Sequence, residues 1–415
     1  MRVLWISSSG GNYKSKSLYD TANWVGALQK ALLDRSDVEL AITFPHPSDS
    51  EPIVDGRVTY YPVIRKTGRG KFGQLLFRYF GDARKEEDRV IAGMLKAISQ
   101  FKPDVVHIWG IENFYSRILR DIENVPVVVH IQGFASAIVE AYLPQGFTVE
   151  DIKKSQSFRN QLLKAGHYQV YKDFLKRVEN EKKVAPYVKN WMGRTEWDRT
   201  QAISLSPTAQ YYHCDEMLND TFIGAQWHYH FDKDTLILQS SITNNWYKGV
   251  DLVLLTAKML VEMGHKVRWN IFGMTRNADI LTYISDHYNI NPDKFGIDFK
   301  GYVKSEAIRD GLLQADVFVH LSHVENSSNA IAEAQMVGTP VVALNVGGNT
   351  TMLKEGAGII VETKTPLDIT NSILMFTEKS FAEQTSELER NLARKRHDRT
   401  TVLNNLLSIY ESLKQ

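Results

Sequence analysis

Two glutamates, Glu325 and Glu333, stand eight positions apart in the run His323-Val324-Glu325-Asn326-Ser327-Ser328-Asn329-Ala330-Ile331-Ala332-Glu333-Ala334-Gln335. A strand-like segment, Ala315 to Leu321, leads into the polar stretch, and Ile331, Ala334 and Met336 then suit one face of a helix. The first carboxylate therefore precedes a helix N-terminus and the second lies inside the helix. At such an end the backbone N–H groups of Ser327, Ser328 and Asn329 lack intrahelical partners and the helix dipole adds positive potential, which together suit a phosphate. With the segment Asn326 to Asn329 around a diphosphate, Glu325 is placed to hold sugar hydroxyls on one side and Glu333 to hold ribose hydroxyls beyond it. The plain alternative is a helix with one glutamate near its start and one on a solvated face.

The residues C-terminal to this pair narrow the choice. Gly338-Thr339-Pro340 precedes the apolar strand Val341-Val342-Ala343-Leu344, then come Gly347-Gly348 and Gly356-Ala357-Gly358. This ordered series resembles retaining glycosyltransferases of family 4, which have the GT-B fold and carry an E-x7-E motif followed by G-x-P-V-V-A and a Gly-Gly loop. The resemblance is strongest over Gly301 to Glu362 and weaker over the first strand and Lys248-Gly249. It implies an α/β chain of GT-B architecture, two Rossmann-like domains whose parallel sheets face a central cleft. It also implies transfer of a hexose, with retention, from a UDP- or GDP-linked sugar to a glycan or lipid-linked hydroxyl, as in surface polysaccharide synthesis. No other cofactor is implied. One departure is Thr351, three positions after Gly-Gly, where the family often has a glutamate.

The elements that must position these residues alternate between strand and helix patterns, as parallel sheets require. Strands are expected at Val3 to Ser7, Val38 to Phe44, Val58 to Val63, Asp104 to Trp109, Val127 to Ile131 and near Ile203. A second series covers Thr235 to Gln239, Val267 to Phe272, Ile297 to Lys300, Val317 to Leu321, Val341 to Leu344 and Gly358 to Val361. At 415 residues the chain exceeds one core. The expected division is an acceptor domain over residues 1–205, a connector from Ser206 to Asp234, and a nucleotide-sugar domain completing 206–397. A last helix, about 398–415, returns to the first domain, with Val402 to Leu413 supplying its apolar spacing.

Ligands of such sheets bind outside the carboxyl ends of the strands. After the first strand, Gly10 and Gly11 let backbone approach a ligand or simply form a turn; the resemblance puts this loop near the donor diphosphate. The resemblance likewise puts His130, at the end of Pro126-Val127-Val128-Val129-His130, facing the reacting sugar as a catalytic group beside Glu325, while His107 reads as a buried partner in the sheet. Lys248, in Lys248-Gly249, matches the family's lysine and can neutralise the diphosphate as the leaving group gains charge. The arginine expected five or six residues earlier is missing, with Ile242 and Thr243 in those places. Arg194 and Trp197 suit either acceptor contacts or an internal salt bridge and a core tryptophan.

Composition limits the remaining roles. A net charge of +1 and a hydrophobic fraction of 43% argue against disorder and against generic nucleic-acid binding. The single cysteine, Cys214, excludes an internal disulfide framework. The opening apolar run ends by Ser7, too short for a signal peptide, and no run reaches the roughly 18 apolar residues that span a bilayer, so a cytoplasmic protein is expected. Two basic stretches, Arg65 to Phe80 and Lys153 to Lys183, suit either solvated helix faces or peripheral contact with anionic lipid at the inner face of a membrane. Asp232-Lys233-Asp234 fits a metal-holding D-x-D pattern but precedes a strand, so it reads as linker, and metal independence is expected. Other readings are a catalytically silent sugar-nucleotide binder, an epimerase or phosphorylase, and a dehydrogenase. No lysine motif for a pyridoxal cofactor is recognisable, and the dinucleotide fingerprint is missing.

Overall fold

The computed structural model describes residues 1–13, 24–35, 37–68, 70–230 and 234–414. Two parallel sheets form, one in each half of the chain, as the alternating pattern requires. The first contains β1 (Arg2–Ile6), β2 (Glu39–His46), β3 (Ile53–Asp55), β4 (Val58–Ile64), β5 (Val105–Trp109), β6 (Val127–His130), β7 (Asn190–Gly193) and β8 (Gln210–His213). Their order is β3-β4-β2-β1-β5-β6-β7-β8, with the edge strand β3 alone antiparallel to its neighbour. The second contains β9 (Thr235–Ser241), β10 (Lys266–Phe272), β11 (Ile297–Gly301), β12 (Val317–His320), β13 (Val341–Leu344) and β14 (Ile359–Val361), in the order β11-β10-β9-β12-β13-β14. That is the doubly wound order of a dinucleotide-binding sheet, so both halves are Rossmann-like. In each sheet the chain reverses direction beside the first strand, which opens a crevice next to the loops after β1 and β5 and after β9 and β12.

Strand burial follows from this layering. Val3 to Ile6, Val105 to Trp109 and Val317 to His320 are buried along their whole length because helices cover both faces of the sheets. The last helix, Arg399–Leu413, packs Val402, Leu406 and Tyr410 into the first domain's core with Val3 and Trp5.

The sequence pattern misplaces one element. Ile203 lies in the helix Glu196–Leu205, because Thr195 and Asp198 form a capping box that starts a helix there. The missed strands are short: β3 lies at the sheet edge, β7 precedes that helix, and β8 follows it beyond residue 205, pairing with β7. Cys214 and Met217 then pack in the first domain's core, so first-domain structure continues into the expected connector. Of the D-x-D triplet, Asp232 and Lys233 lie outside the described residues; Asp234 pairs with Lys266 at 3.6 Å.

Candidate functional site

The loop after β12 brings Glu325 back under the loop after β9. Lys248 ends a short turn, Trp246–Lys248, and Gly249 follows in the left-handed region at φ +77°, where a Cβ would meet the carbonyl oxygen of Leu321 at 1.9 Å. Only glycine allows the two loops to approach so closely. Lys248 Nζ thereby reaches Glu325 Oε2 at 2.7 Å, and His320 Nε2 lies 3.3 Å from the same oxygen. Burial works against both charges. Even so, Lys248 and His320 hold the Glu325 carboxyl well below the usual carboxylate range, and Glu325 keeps the Lys248 ammonium above its ordinary value. The Gly-Gly loop serves the same segment. A Cβ on Gly347, at φ +53°, would stand 1.5 Å from the Glu325 carbonyl oxygen, which accepts a hydrogen bond from the Gly348 N–H at 3.2 Å.

The helix Asn329–Val337 starts at this loop, capped by Ser328, whose hydroxyl accepts from the Ile331 N–H at 3.4 Å. The Ser328 N–H points to Met352 Sδ at 3.2 Å, and the Ser327 hydroxyl donates to Glu216 at 3.2 Å. Of the backbone N–H groups expected to be open to an anion, that of Ser328 therefore already has a partner. Asn326 is buried, and Asn329 is exposed at the helix start. Glu333 lies one turn further along from Asn329, partly buried, and burial alone pushes its carboxyl up to about 8.

A cavity of about 490 Å³ gathers Lys248, His320, Glu325, the segment Asn326 to Asn329 and, from the first domain, Gln132 and Arg194. Its volume is within the range of small-molecule sites. Tyr302, 64% exposed, stands at its edge with Phe272 and Gly273, offering an aromatic face.

Glu333, His130, Trp197, Gly10 and Gly11 do not line this cavity. His130 is wholly buried: its Nδ1 is 3.2 Å from His107 Nε2, His107 Nδ1 is 2.6 Å from the Tyr410 hydroxyl, and Trp109 stacks on both imidazoles. Burial lowers both histidines' pKa values, that of His107 to about 3, so both are neutral parts of the core. Gln132, two residues beyond His130, faces the cavity instead. Trp197 packs edge-on against Phe134, with centroids 5.8 Å apart, as a partly buried core residue. Gly10 is buried against Tyr13 and Phe44, so packing accounts for this glycine; its neighbour Gly11 turns the loop at φ +57°.

Arg194 does line the cavity, but it also forms an internal ion pair. Its Nε lies 3.9 Å from Glu216 Oε2, and Arg396 Nη2 lies 3.8 Å from the same atom. Glu216 is fully buried; burial pushes its carboxyl up, yet Arg396 and Arg194 hold it down to about 2. Arg396 also donates to the Ser327 hydroxyl and to the Arg194 carbonyl, both at 3.2 Å. Glu216 thus ties the glutamate loop to the first domain. Sequence reasoning misses it because the adjacent acids Asp215 and Glu216, between Cys214 and Met217, carry no spacing signal. Thr351 adds a second tie, accepting from the Glu196 N–H at 3.3 Å.

Among the described residues, no group of three or more His, Cys, Asp or Glu side chains is gathered as a metal site. The family model of glycosyl transferases group 1 matches residues 226–396, the segment that carries Lys248, Glu325 and Glu333. Solved structures align over nearly the whole chain. Sucrose-phosphate synthase from Thermosynechococcus elongatus is 12% identical with a TM-score of 0.71, covering 100% of this chain and 99% of that one. Anabaena HepE in complex with UDP and glucose is 14% identical with a TM-score of 0.61, covering 99% and 100%. A glycosyltransferase from Rickettsia africae is 13% identical with a TM-score of 0.58, covering 99% and 98%. No curated protein matches. The fold is therefore GT-B, and its second domain matches the group 1 glycosyl transferase model.

Proposed function

We propose that this chain is a retaining, metal-independent glycosyltransferase that moves a hexose from a UDP- or GDP-linked sugar to a glycan or lipid-linked hydroxyl. The observation that carries the reading is the 2.7 Å contact of Lys248 with Glu325 in the interdomain cavity, inside the segment matching the group 1 model. In this reading Lys248 turns from Glu325 to the donor diphosphate, and the Asn329 helix N-terminus supplies further positive potential. Glu325 holds the donor-sugar hydroxyls near C3 and C4, and Glu333 serves the ribose. Arg194 is the second permanent cation of the cavity, in partial place of the arginine missing near Thr243. Among the described residues no carboxylate is placed as a covalent nucleophile, so a front-face route fits best. The acceptor oxygen bonds to C1 as the bond from C1 to the phosphate oxygen breaks, and that oxygen leaves with the electron pair and takes the acceptor proton. HepE, solved with UDP and glucose, supports the donor class.

Peripheral membrane contact draws support from the helix Gly70–Phe80, where Phe72 and Phe80 are 73% and 83% exposed. The neighbouring Phe158 and Leu162 are exposed too, and Lys164 lies over Tyr79 nearby. No described helix is long and apolar enough to cross a membrane.

The test is thermal stabilisation by UDP, GDP and ADP with NAD as control. At a hundredfold its dissociation constant a ligand adds about 2.7 kcal/mol, which raises the melting temperature by roughly 5–10 °C for a domain of about 200 residues. A shift with NAD alone would overturn the reading. Turnover lost to a chelator and restored by manganese would remove metal independence, and absence of both transfer and donor hydrolysis would leave a silent binder.

A further inference from the structure

The two basic stretches do more than coat a surface. Parts of both converge on a second cavity, about 730 Å³, that opens beyond the carboxyl ends of the first domain's strands. Ser8 follows β1, Pro45 lies near the end of β2, Arg65 follows β4 and Glu112 follows β5, and all four line it. It therefore occupies the place where this sheet topology puts a ligand. Seven Lys and Arg side chains and four Asp and Glu side chains line it, leaving the wall cationic.

Not every cation there is available. Arg117 is buried and held by Asp88 at 2.8 Å and Glu87 at 3.0 Å, so it is part of the wall. Arg177 and Arg120 differ. Both are exposed, and among the described residues neither has a carboxylate at ion-pair distance: Arg177 lies over the Phe174 ring, and Arg120 donates to the Lys183 carbonyl. A guanidinium fork without an acid partner, in a cavity with surplus positive charge, suits a bidentate anion. Glu112 lines the same cavity, and its Oε2 is buried without a hydrogen-bond partner, an acceptor left for a ligand hydroxyl.

The cavity also adjoins the donor lysine. Phe174, one helical turn before Arg177, packs on Tyr247 with ring centroids 6.1 Å apart, and Tyr247 directly precedes Lys248. Arg177 acts electrostatically both on Glu112 in this cavity and on Tyr247 beside the donor lysine.

We infer that this cavity binds the acceptor and that the acceptor carries a phosphate group, held by Arg177 and Arg120, with a sugar hydroxyl against Glu112. The inference rests on the glycosyltransferase reading for the word acceptor; the anion site itself stands on the cavity alone. The phosphate belongs either to a soluble sugar phosphate or to a lipid phosphate.

Both sources are tested by calorimetric titration of glucose 6-phosphate against glucose and of farnesyl phosphate against farnesol, with UDP saturating so that the donor pocket is filled. The wild type, Arg177→Gln and Arg120→Gln are compared; both positions are exposed, so the variants fold. The expected result is a phosphate advantage of at least about tenfold in the wild type that is lost in the variants. Confinement of that advantage to glucose 6-phosphate names the soluble source, and confinement to farnesyl phosphate names the lipid. Equal binding of phosphorylated and neutral probes, or an advantage that survives both substitutions, overturns the inference. UDP titrated alone separates the two readings. A phosphate advantage without UDP binding condemns the transferase assignment, whereas UDP binding without the advantage condemns the anion site.

Discussion

Replacing Lys248 with methionine tests the centre of the donor site, because one side chain carries both a structural and a binding role. Lys248 and Glu325 are 19% and 14% exposed, so their pair counts as largely buried. Removing one partner of such a pair destabilises by about 3–5 kcal/mol, since the other charge is left uncompensated. At roughly 2–4 °C per kcal/mol for a domain of this size, the melting temperature should fall by about 10 °C. The pH dependence has a definite sign. The Glu325 carboxyl is depressed in the fold, so its stabilisation is present above the ordinary carboxylate value of 4.5 and is lost as pH falls below it. The deficit of Lys248→Met is therefore largest near neutrality and shrinks in acid.

Binding separates the two roles. If Lys248 makes a charge-assisted contact with the diphosphate, its loss weakens UDP by about 2 kcal/mol, roughly 30-fold. Adding Glu325→Gln removes the stranded carboxylate and should return most of the stability without returning UDP affinity. Calorimetry and melting on the wild type, both singles and the double complete the cycle. Unchanged UDP affinity in Lys248→Met would refute the donor role, and full additivity of the two stability losses would refute the pairing.

Two other substitutions probe the site's surroundings. Glu333 titrates near 8 in the fold against 4.5 ordinarily, so the folded state holds an extra proton between those values and stability falls as pH rises through that window. Glu333→Gln should flatten the melting profile over the upper part of that window; a slope equal to the wild type's would mean that Glu333 is an ordinary solvated carboxylate. Glu216→Gln leaves Arg194 and Arg396, 3% and 8% exposed at their side chains, without their shared buried carboxylate. Arg396 keeps Asp215 at 3.0 Å, so a loss of about 3 kcal/mol in the unfolding free energy from denaturant titration is expected, and a change below about 1 kcal/mol would show the hub to be incidental.

The parts legible in the sequence are those whose physics is local. The apolar runs of β1, β5, β12 and β13 are buried on both faces, so they read as continuous hydrophobic segments. Lys248, Glu325 and the Gly-Gly loop are accessible because glycine is required where backbones nearly touch, and that requirement leaves a mark at fixed spacing. His130 misleads because residue type and strand position do not reveal which side chains stay inside the sheet; across β5 and β6 it is paired with Trp109 and stacks there. The helix at Ile203 is legible in principle, since Thr195 and Asp198 have capping-box spacing, but its apolar residues compete with that signal.

What the sequence conceals is the coupling between halves, because its members are far apart along the chain. Glu216 in the connector, Arg194 in the first domain, Arg396 at the end of the second and Ser327 in the glutamate loop meet at one buried point. Thr195 reaches the Asn326 carbonyl at 3.5 Å beside it. These contacts fix the loop bearing Glu325 against the wall bearing Arg194 and Gln132, so the cavity's two sides are set before any ligand arrives. Transfer between bound sugars needs reacting atoms within about 3–3.5 Å. A hub that weakens by even a few kcal/mol would therefore affect alignment before it affects donor binding, and Glu216→Gln should lower turnover more than UDP affinity.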